Sequence, residues 1–241
     1  MQPWATQTQQ STAMIDAFFT AASALFVTGL TVVETGAYWS FAGQVVILAL
    51  VQIGALGVVT IGGYLIYLFG QRFYYQDRQM LSESLGVSNK SEVVGILRRV
   101  VRYVIIVELL GAVLLGLNFY LHGHPVLSAI WLGIFHAVSA FANAGFDVFG
   151  QGNSAASLLE VGVAIEIIMA LIIVGGLGFP VWMDLRRKLT NRAHHLSLHS
   201  KMVLFINLLL VCSGAVVFFY LEFTARNASV DLWTHGRQSP P

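Results

Sequence analysis

The chain has 241 residues, of which 56% are hydrophobic and only 10% charged, with a net charge of +1 and a mean hydropathy of +0.73. Apolar runs of about 20 residues or more have nowhere to go except a bilayer, so this composition excludes an ordinary soluble domain and predicts an all-α polytopic membrane protein. The single cysteine, Cys212, lies inside an apolar run and suggests neither a disulfide framework nor a thiolate metal site.

Residues 1–13 are polar and uncharged, with no basic segment ahead of an apolar core, so no signal peptide is expected. Residues 14–26 are apolar, with Ser11 or Thr12 as the expected N-cap and Asp16 in the first turn. Thirteen residues reach only about 20 Å, against a hydrocarbon core of about 30 Å, so this helix is expected to enter the bilayer and stop. Non-helical backbone then follows at Val27, Thr28, Gly29 and Leu30, and at membrane depth it is tolerated only where it is buried in protein or lines a wet cavity. A helix C-terminus aimed at that point presents about half a negative charge, which favours a cation. Glu34 stands just outside, where a carboxylate at a mouth raises the local cation concentration.

Four long apolar runs cover residues 41–69, 103–121, 158–183 and 202–221. In the first, Gly54, Gly57, Gly62 and Gly63 mark close packing or a bend. Between the first and second runs lie Arg72, Arg78, Lys90, Arg98, Arg99 and Arg102; between the third and fourth lie Arg186, Arg187, Lys188, Arg192 and Lys201. These two basic loops are therefore expected in the cytoplasm, with residues 1–13, 122–157 and the tail after Glu222 on the other side. An outside N-terminus with nothing to translocate it predicts that a transmembrane helix has been lost upstream.

Glu108 near the middle of the second run must be neutral, paired or wet, and a structural pair is the expected answer. After Pro125 a second short helix, residues 126–142, carries His136, which is expected to be buried and hydrogen-bonded rather than a ligand. That helix again stops at a glycine stretch, Asn143, Ala144, Gly145 and Phe146, and Asp147 takes the part of Glu34. The two stretches are copies: Gly29 and Gly145 are 116 residues apart, and a second shared string, Ile53-Gly54-Ala55-Leu56-Gly57 against Val174-Gly175-Gly176-Leu177-Gly178, recurs at 121. Pseudo-symmetric pieces of this kind are what an ion pathway is built from. The third run adds Glu160 and Glu166, the latter a candidate for orienting the loops. His195 and His199 have helical metal-ligand spacing, yet they lie in a basic loop without acidic or cysteine partners, so no metal site is expected. The last run carries Asn207 and is not followed by a third short helix and glycine stretch.

The string 15–24 leading into 27–36, the segments Gly43 to Ile47 and Gln52-Ile53-Gly54, the string 135–147, and Gly175-Gly176-Leu177-Gly178-Phe179-Pro180 resemble the Ktr/Trk/HKT superfamily of potassium transporters, most closely the bacterial KtrB-type subunit. The resemblance covers nearly all of residues 12–222. It implies four repeats of helix, pore loop and helix around one potassium pathway, with Gly29 and Gly145 as filter glycines and the backbone of Val27, Thr28, Leu30, Asn143, Ala144 and Phe146 beside them. It also implies a homodimer in the cytoplasmic membrane, a cytosolic nucleotide-binding regulatory ring against the basic loops, potassium and possibly sodium as transported ions with no cofactor, and no nucleic-acid partner.

On that pattern the chain reads as an extracytoplasmic stretch (1–13), repeat 1 without its first helix (14–70), a cytoplasmic loop (71–102), a whole repeat 2 (103–184), a basic loop (185–201), the first helix of repeat 3 (202–222) and an outer tail (223–241). That arrangement holds about four transmembrane helices and two re-entrant pore helices, and two filter loops of four form a half-ring that leaves an ion wet on one face. The expected function is potassium uptake, incomplete in this chain alone. The alternatives are a non-conducting scaffold that assembles with a complementary half, or an intramembrane enzyme using Glu108, Glu166 or His136; no paired catalytic motif favours the enzyme.

Overall fold

The structure is a computed structural model that describes residues 5–7, 12–57, 93–149, 162–190 and 195–235. Among the described residues every regular element is helical, apart from an isolated antiparallel bridge between Thr6 and Trp39. The helices are α1 (Met14–Leu25), α2 (Thr35–Tyr38), α3 (Phe41–Leu56), α4 (Val93–Leu121), α5 (Val126–Phe141), α6 (Ala164–Gly176), α7 (Phe179–Thr190) and α8 (Leu198–His235). The chain divides into two compact units, Met1–Pro180 and Val181–Pro241.

In the first unit α1 turns Thr20, Ser23 and Ala24 inward and leaves Met14, Ile15 and Phe18 exposed. With small and hydroxyl-bearing residues inside and large apolar ones outside, close backbone approach rather than side-chain bulk sets the packing of α1. The expected cap at Thr12 is not formed: Ala13 occupies the N-cap position without a side-chain bond, and the Thr12 hydroxyl accepts instead from Tyr38 Oη at 3.1 Å. Ser40 does cap α3, accepting from the Gly43 amide at 3.2 Å.

The hairpin of α4 and α5 holds the centre of the core, with Leu115, Phe119, Phe135 and Ala137 fully buried. It closes through small residues. A Cβ on Gly133 would lie 2.5 Å from the Ala112 carbonyl and 2.6 Å from the Gly116 amide, so only glycine allows the two backbones this near each other. Outward, Leu109, Val113 and Leu117 of α4 are exposed apolar residues, again on a face suited to lipid.

The third apolar run is not one helix. α6 ends at Gly176 and α7 begins at Phe179, with Gly178 between them at φ +78° and Pro180 in the first turn of α7. Pro180 lacks an amide hydrogen, so continuing α6 through it would forfeit a helical bond; the chain breaks where glycine makes the turn easy.

In the second unit α8 begins at a Ser197 cap, whose hydroxyl accepts from the Ser200 amide at 3.2 Å, while the Ser197 amide donates to Asp184 at 2.8 Å. His195 precedes the helix and His199 lies within it, so their spacing does not place them together on one helical face. α8 runs on past residue 222 to His235, so the expected outer tail after Glu222 continues the helix over the described residues. By length and composition α4 and α8 can each cross a membrane over Arg98–Leu121 and Leu198–Phe223, and α6 with α7 makes a third if the pair is one span. The chain is thus a polytopic helical membrane protein. The first predicted run is described only to Gly57, and residues 58–92, with Gly62, Gly63 and most of the first basic loop, lie outside the described residues, as do Ser11, Glu160 and Arg192.

Candidate functional site

Helix α1 ends as helices often do, by a left-handed residue that lets two late amides fold back on exposed carbonyls. The Val27 amide donates to Ala24 O at 3.3 Å and the Thr28 amide to Ser23 O at 3.0 Å. At the end of α5 the same two bonds recur 116 residues on: Asn143 to Ala140 O at 3.0 Å and Ala144 to Ser139 O at 2.8 Å. The turning residues match too, Val27 at φ +55° and Asn143 at φ +57°. So do the glycines, Gly29 at φ +75° and Gly145 at φ +73°. Two different sequences therefore make one backbone shape, with positive φ at every second residue.

A β-branched valine in the left-handed region is a genuine outlier costing on the order of 1–3 kcal/mol, whereas asparagine tolerates it. Asn143→Val is accordingly expected to lower the melting temperature by about 2–12 °C, with Asn143→Gly close to the parent. Thermal unfolding in detergent checks this, and equal temperatures for the two variants would contradict it.

The two loops touch at their glycines. A Cβ on Gly29 would stand 2.5 Å from Ala144 O and 3.3 Å from the Gly145 Cα, and one on Gly145 would stand 3.5 Å from the Gly29 Cα. Behind each loop a second glycine seats a helix on the last residue of the short helix before it. Gly54 of α3 lies against the Leu25 carbonyl and Gly175 of α6 against the Phe141 carbonyl, each closer than any side chain permits. Leu25 and Phe141 are again 116 residues apart, so the shared strings of the sequence are shared contacts. Gly57 and Gly178, which end the two strings, both have φ +78°.

Hydroxyls brace the turns. Thr28 Oγ1 donates to Ser23 Oγ at 2.9 Å, and Ser139 Oγ donates to the Phe146 carbonyl at 2.7 Å. Of the predicted site residues, Phe146 therefore has its carbonyl taken up by a neighbour and is itself buried, as is Ala144, while Thr28, Leu30, Asn143 and Gly145 are exposed. Outside the loops a cavity of about 330 Å³ is lined by Gly29, Gly145, Glu34 and Asp147 together with Thr31 and Thr35. Both predicted acids thus open onto one space with both glycines.

A family model described as a cation transport protein, TrkH, matches residues 2–235. The chain belongs to the TrkH cation-transport family. It is 37% identical over 223 residues to the potassium/sodium uptake protein NtpJ of Enterococcus hirae, covering 91% of this chain and 48% of that protein. Similarity extends to the Ktr system potassium uptake protein B of Vibrio alginolyticus, at 34% over 225 residues (92% and 48%), and of Bacillus subtilis, at 34% over 210 (87% and 46%). The chain spans about half the length of these curated relatives. The family is one of membrane transporters rather than enzymes.

The residues named for the enzyme alternative lie on three different helices of this TrkH-family chain, α4, α5 and α6. His136 is buried, its Nδ1 2.8 Å from Leu132 O, with the rings of Phe149 and Phe119 centred 4.5 and 6.0 Å away. Glu108 is buried and paired, accepting from Gln52 Nε2 at 3.0 Å. Glu166 is exposed in the first turn of α6, where a carboxylate suits the positive helix end.

One network was not foreseen. Trp131 Nε1 of α5 donates to Gln44 Oε1 at 2.7 Å, and Gln44 Nε2 donates to Trp39 O at 3.0 Å, tying α5 to the start of α3. A glutamine inside an apolar run was the available signal, because such a group must find partners once water is gone.

Proposed function

We propose that this chain supplies two of the backbone loops that form a potassium pathway, and that it works in potassium uptake across the cytoplasmic membrane. The observation that carries the reading is the meeting of two loops with left-handed residues at equivalent positions, Val27 with Asn143 and Gly29 with Gly145, at the glycines themselves. Alternating backbone handedness turns successive carbonyls toward one side, where they can replace the water on a monovalent cation. α1 and α5 both end at this place, so two helix C-termini add partial negative charge to it. Val27, Thr28, Gly29 and Leu30, with Asn143, Ala144 and Gly145, supply the carbonyls; Phe146 O, held by Ser139, is braced rather than coordinating. α1 and α5 are re-entrant pore helices in this reading, because 12 and 16 residues reach only about 18 and 24 Å.

The basic loops face the cytoplasm, where a nucleotide-binding regulatory ring docks, and the subunit pairs with a second copy. Two loops surround an ion on part of its circumference, so the complete pathway takes loops from further chain. Potassium-limited growth of an uptake-deficient bacterium tests this with the chain expressed alone and together with the remaining half of a KtrB-type relative. Growth only with the complementary half supports the reading; failure in both, with each polypeptide present in the membrane, favours the scaffold.

Glu34 and Asp147 act at the mouth by raising the local cation concentration. Glu34→Gln with Asp147→Asn is expected to reduce rubidium uptake a few-fold at low ionic strength, the deficit shrinking at high salt as the field is screened. A deficit independent of salt would show that the acids act otherwise.

A further inference from the structure

The Gln52–Glu108 pair joins α3 to α4 with one hydrogen bond, Nε2 to Oε2 at 3.0 Å. Its other two ends are unsatisfied: Gln52 Oε1 and Glu108 Oε1 are both buried and have no hydrogen-bond partner among the described residues. With Glu108 ionised both atoms can only accept, so the pair as a carboxylate leaves two buried acceptors without a donor. An ionised carboxylate at that depth is also strongly disfavoured. A carboxamide and a neutral carboxylic acid are, by contrast, complementary at both ends: amide N–H to one carboxyl oxygen, carboxyl O–H to the amide oxygen.

We propose that Glu108 is held as the neutral acid, its Oε1–H donating to Gln52 Oε1, so that the two side chains form a doubly hydrogen-bonded clamp between the two glycine-loop units. One proton satisfies both orphaned atoms at once. A metal cation in its place would need several further oxygens, and Gln52 Oε1 and Glu108 Oε1 are the two that the pair itself leaves unpartnered. The clamp is placed to position the loops. Gln52 precedes by two residues Gly54, which seats on the Leu25 carbonyl, and Glu108 precedes by three residues Gly111, which packs against Leu171 and Ala137. Gln52 and Glu108 are positioning residues, and the inference stands whether or not the loops bind potassium.

Three variants of the full chain in detergent test it. Glu108→Gln keeps both bonds, its new amide N–H donating to Gln52 Oε1, and is expected to melt within about 2 °C of the parent, whereas Glu108→Leu and Gln52→Leu, which break the pair, melt about 4 °C lower or more. The infrared spectrum of the parent should carry the carbonyl stretch of a protonated carboxylic acid, absent from Glu108→Gln. If the leucine variants do not fold, Glu108→Gln and the infrared band still decide. Loss of stability in Glu108→Gln, absence of the acid band in the parent, or a melting temperature that rises with sodium in the parent and not in Glu108→Gln would each overturn the proposal, the last by identifying a bridging cation.

Discussion

Gly145→Ser, placed in an assembly that transports, is expected to cut rubidium uptake at least tenfold and to erase any preference for potassium over sodium, with the protein still present in the membrane. The cost lies in the backbone. The residue sits at φ +73°, where a side chain adds strain of about 1–3 kcal/mol, while the new Cβ, 3.5 Å from the Gly29 Cα, makes only an ordinary contact. The backbone relieves that strain most easily by leaving the left-handed region, which swings the neighbouring carbonyls off their shared side. Gly29→Ala is expected to be worse, because its Cβ would lie 2.5 Å from the Ala144 carbonyl, inside contact distance. Isotope uptake in vesicles measures both; wild-type uptake and selectivity in Gly145→Ser would remove these loops from the pathway.

Gly54→Ala and Gly175→Ala form the second pair of large effects. In an ordinary helix interior, glycine to alanine stabilises by about 1 kcal/mol. Here the sign reverses, since each new methyl would overlap the backbone carbonyl that closes a short helix, at Leu25 or Phe141. Overpacking of this kind costs roughly 1–3 kcal/mol, and the contact is with backbone, which cannot rotate away. Melting temperatures are expected to fall by several degrees and uptake to fall with them, because the displaced helix end is where each loop starts. Gly214→Ala on α8 is the control: nothing lies within 4 Å of its Cβ position, and it should be neutral or slightly stabilising. Equal behaviour of Gly54, Gly175 and Gly214 would contradict the close packing.

The repeated unit was legible because its strings are glycine-rich, and glycine is kept where backbone shape or close approach leaves no alternative. Gly29 with Gly145 and Gly54 with Gly175 could therefore be aligned before their contacts were known. Val27 could not be read as a left-handed residue: valine is among the least suited to that region, and only its equivalence to Asn143 hints at the shape. Thr12 misled for a local reason, since a threonine before an apolar run is a good cap unless a partner such as Tyr38 takes its hydroxyl from across the fold. Glu108 was legible as paired, because a carboxylate at that depth needs company, but its partner Gln52 lies 56 residues away and sequence spacing carries no trace of it. The break at Gly178 was in plain view in Gly-Phe-Pro, yet apolar content alone ran through it.

In the proposed pathway, carbonyls beside Gly29 and Gly145 strip and hold a monovalent cation. The most direct measurement is anomalous scattering from crystals of the complete assembly grown in rubidium. An anomalous peak is expected on the side shared by residues 27–30 and 143–145, within coordinating distance of their carbonyl oxygens. Rubidium bound elsewhere, with those oxygens bonded to other protein groups, would contradict it.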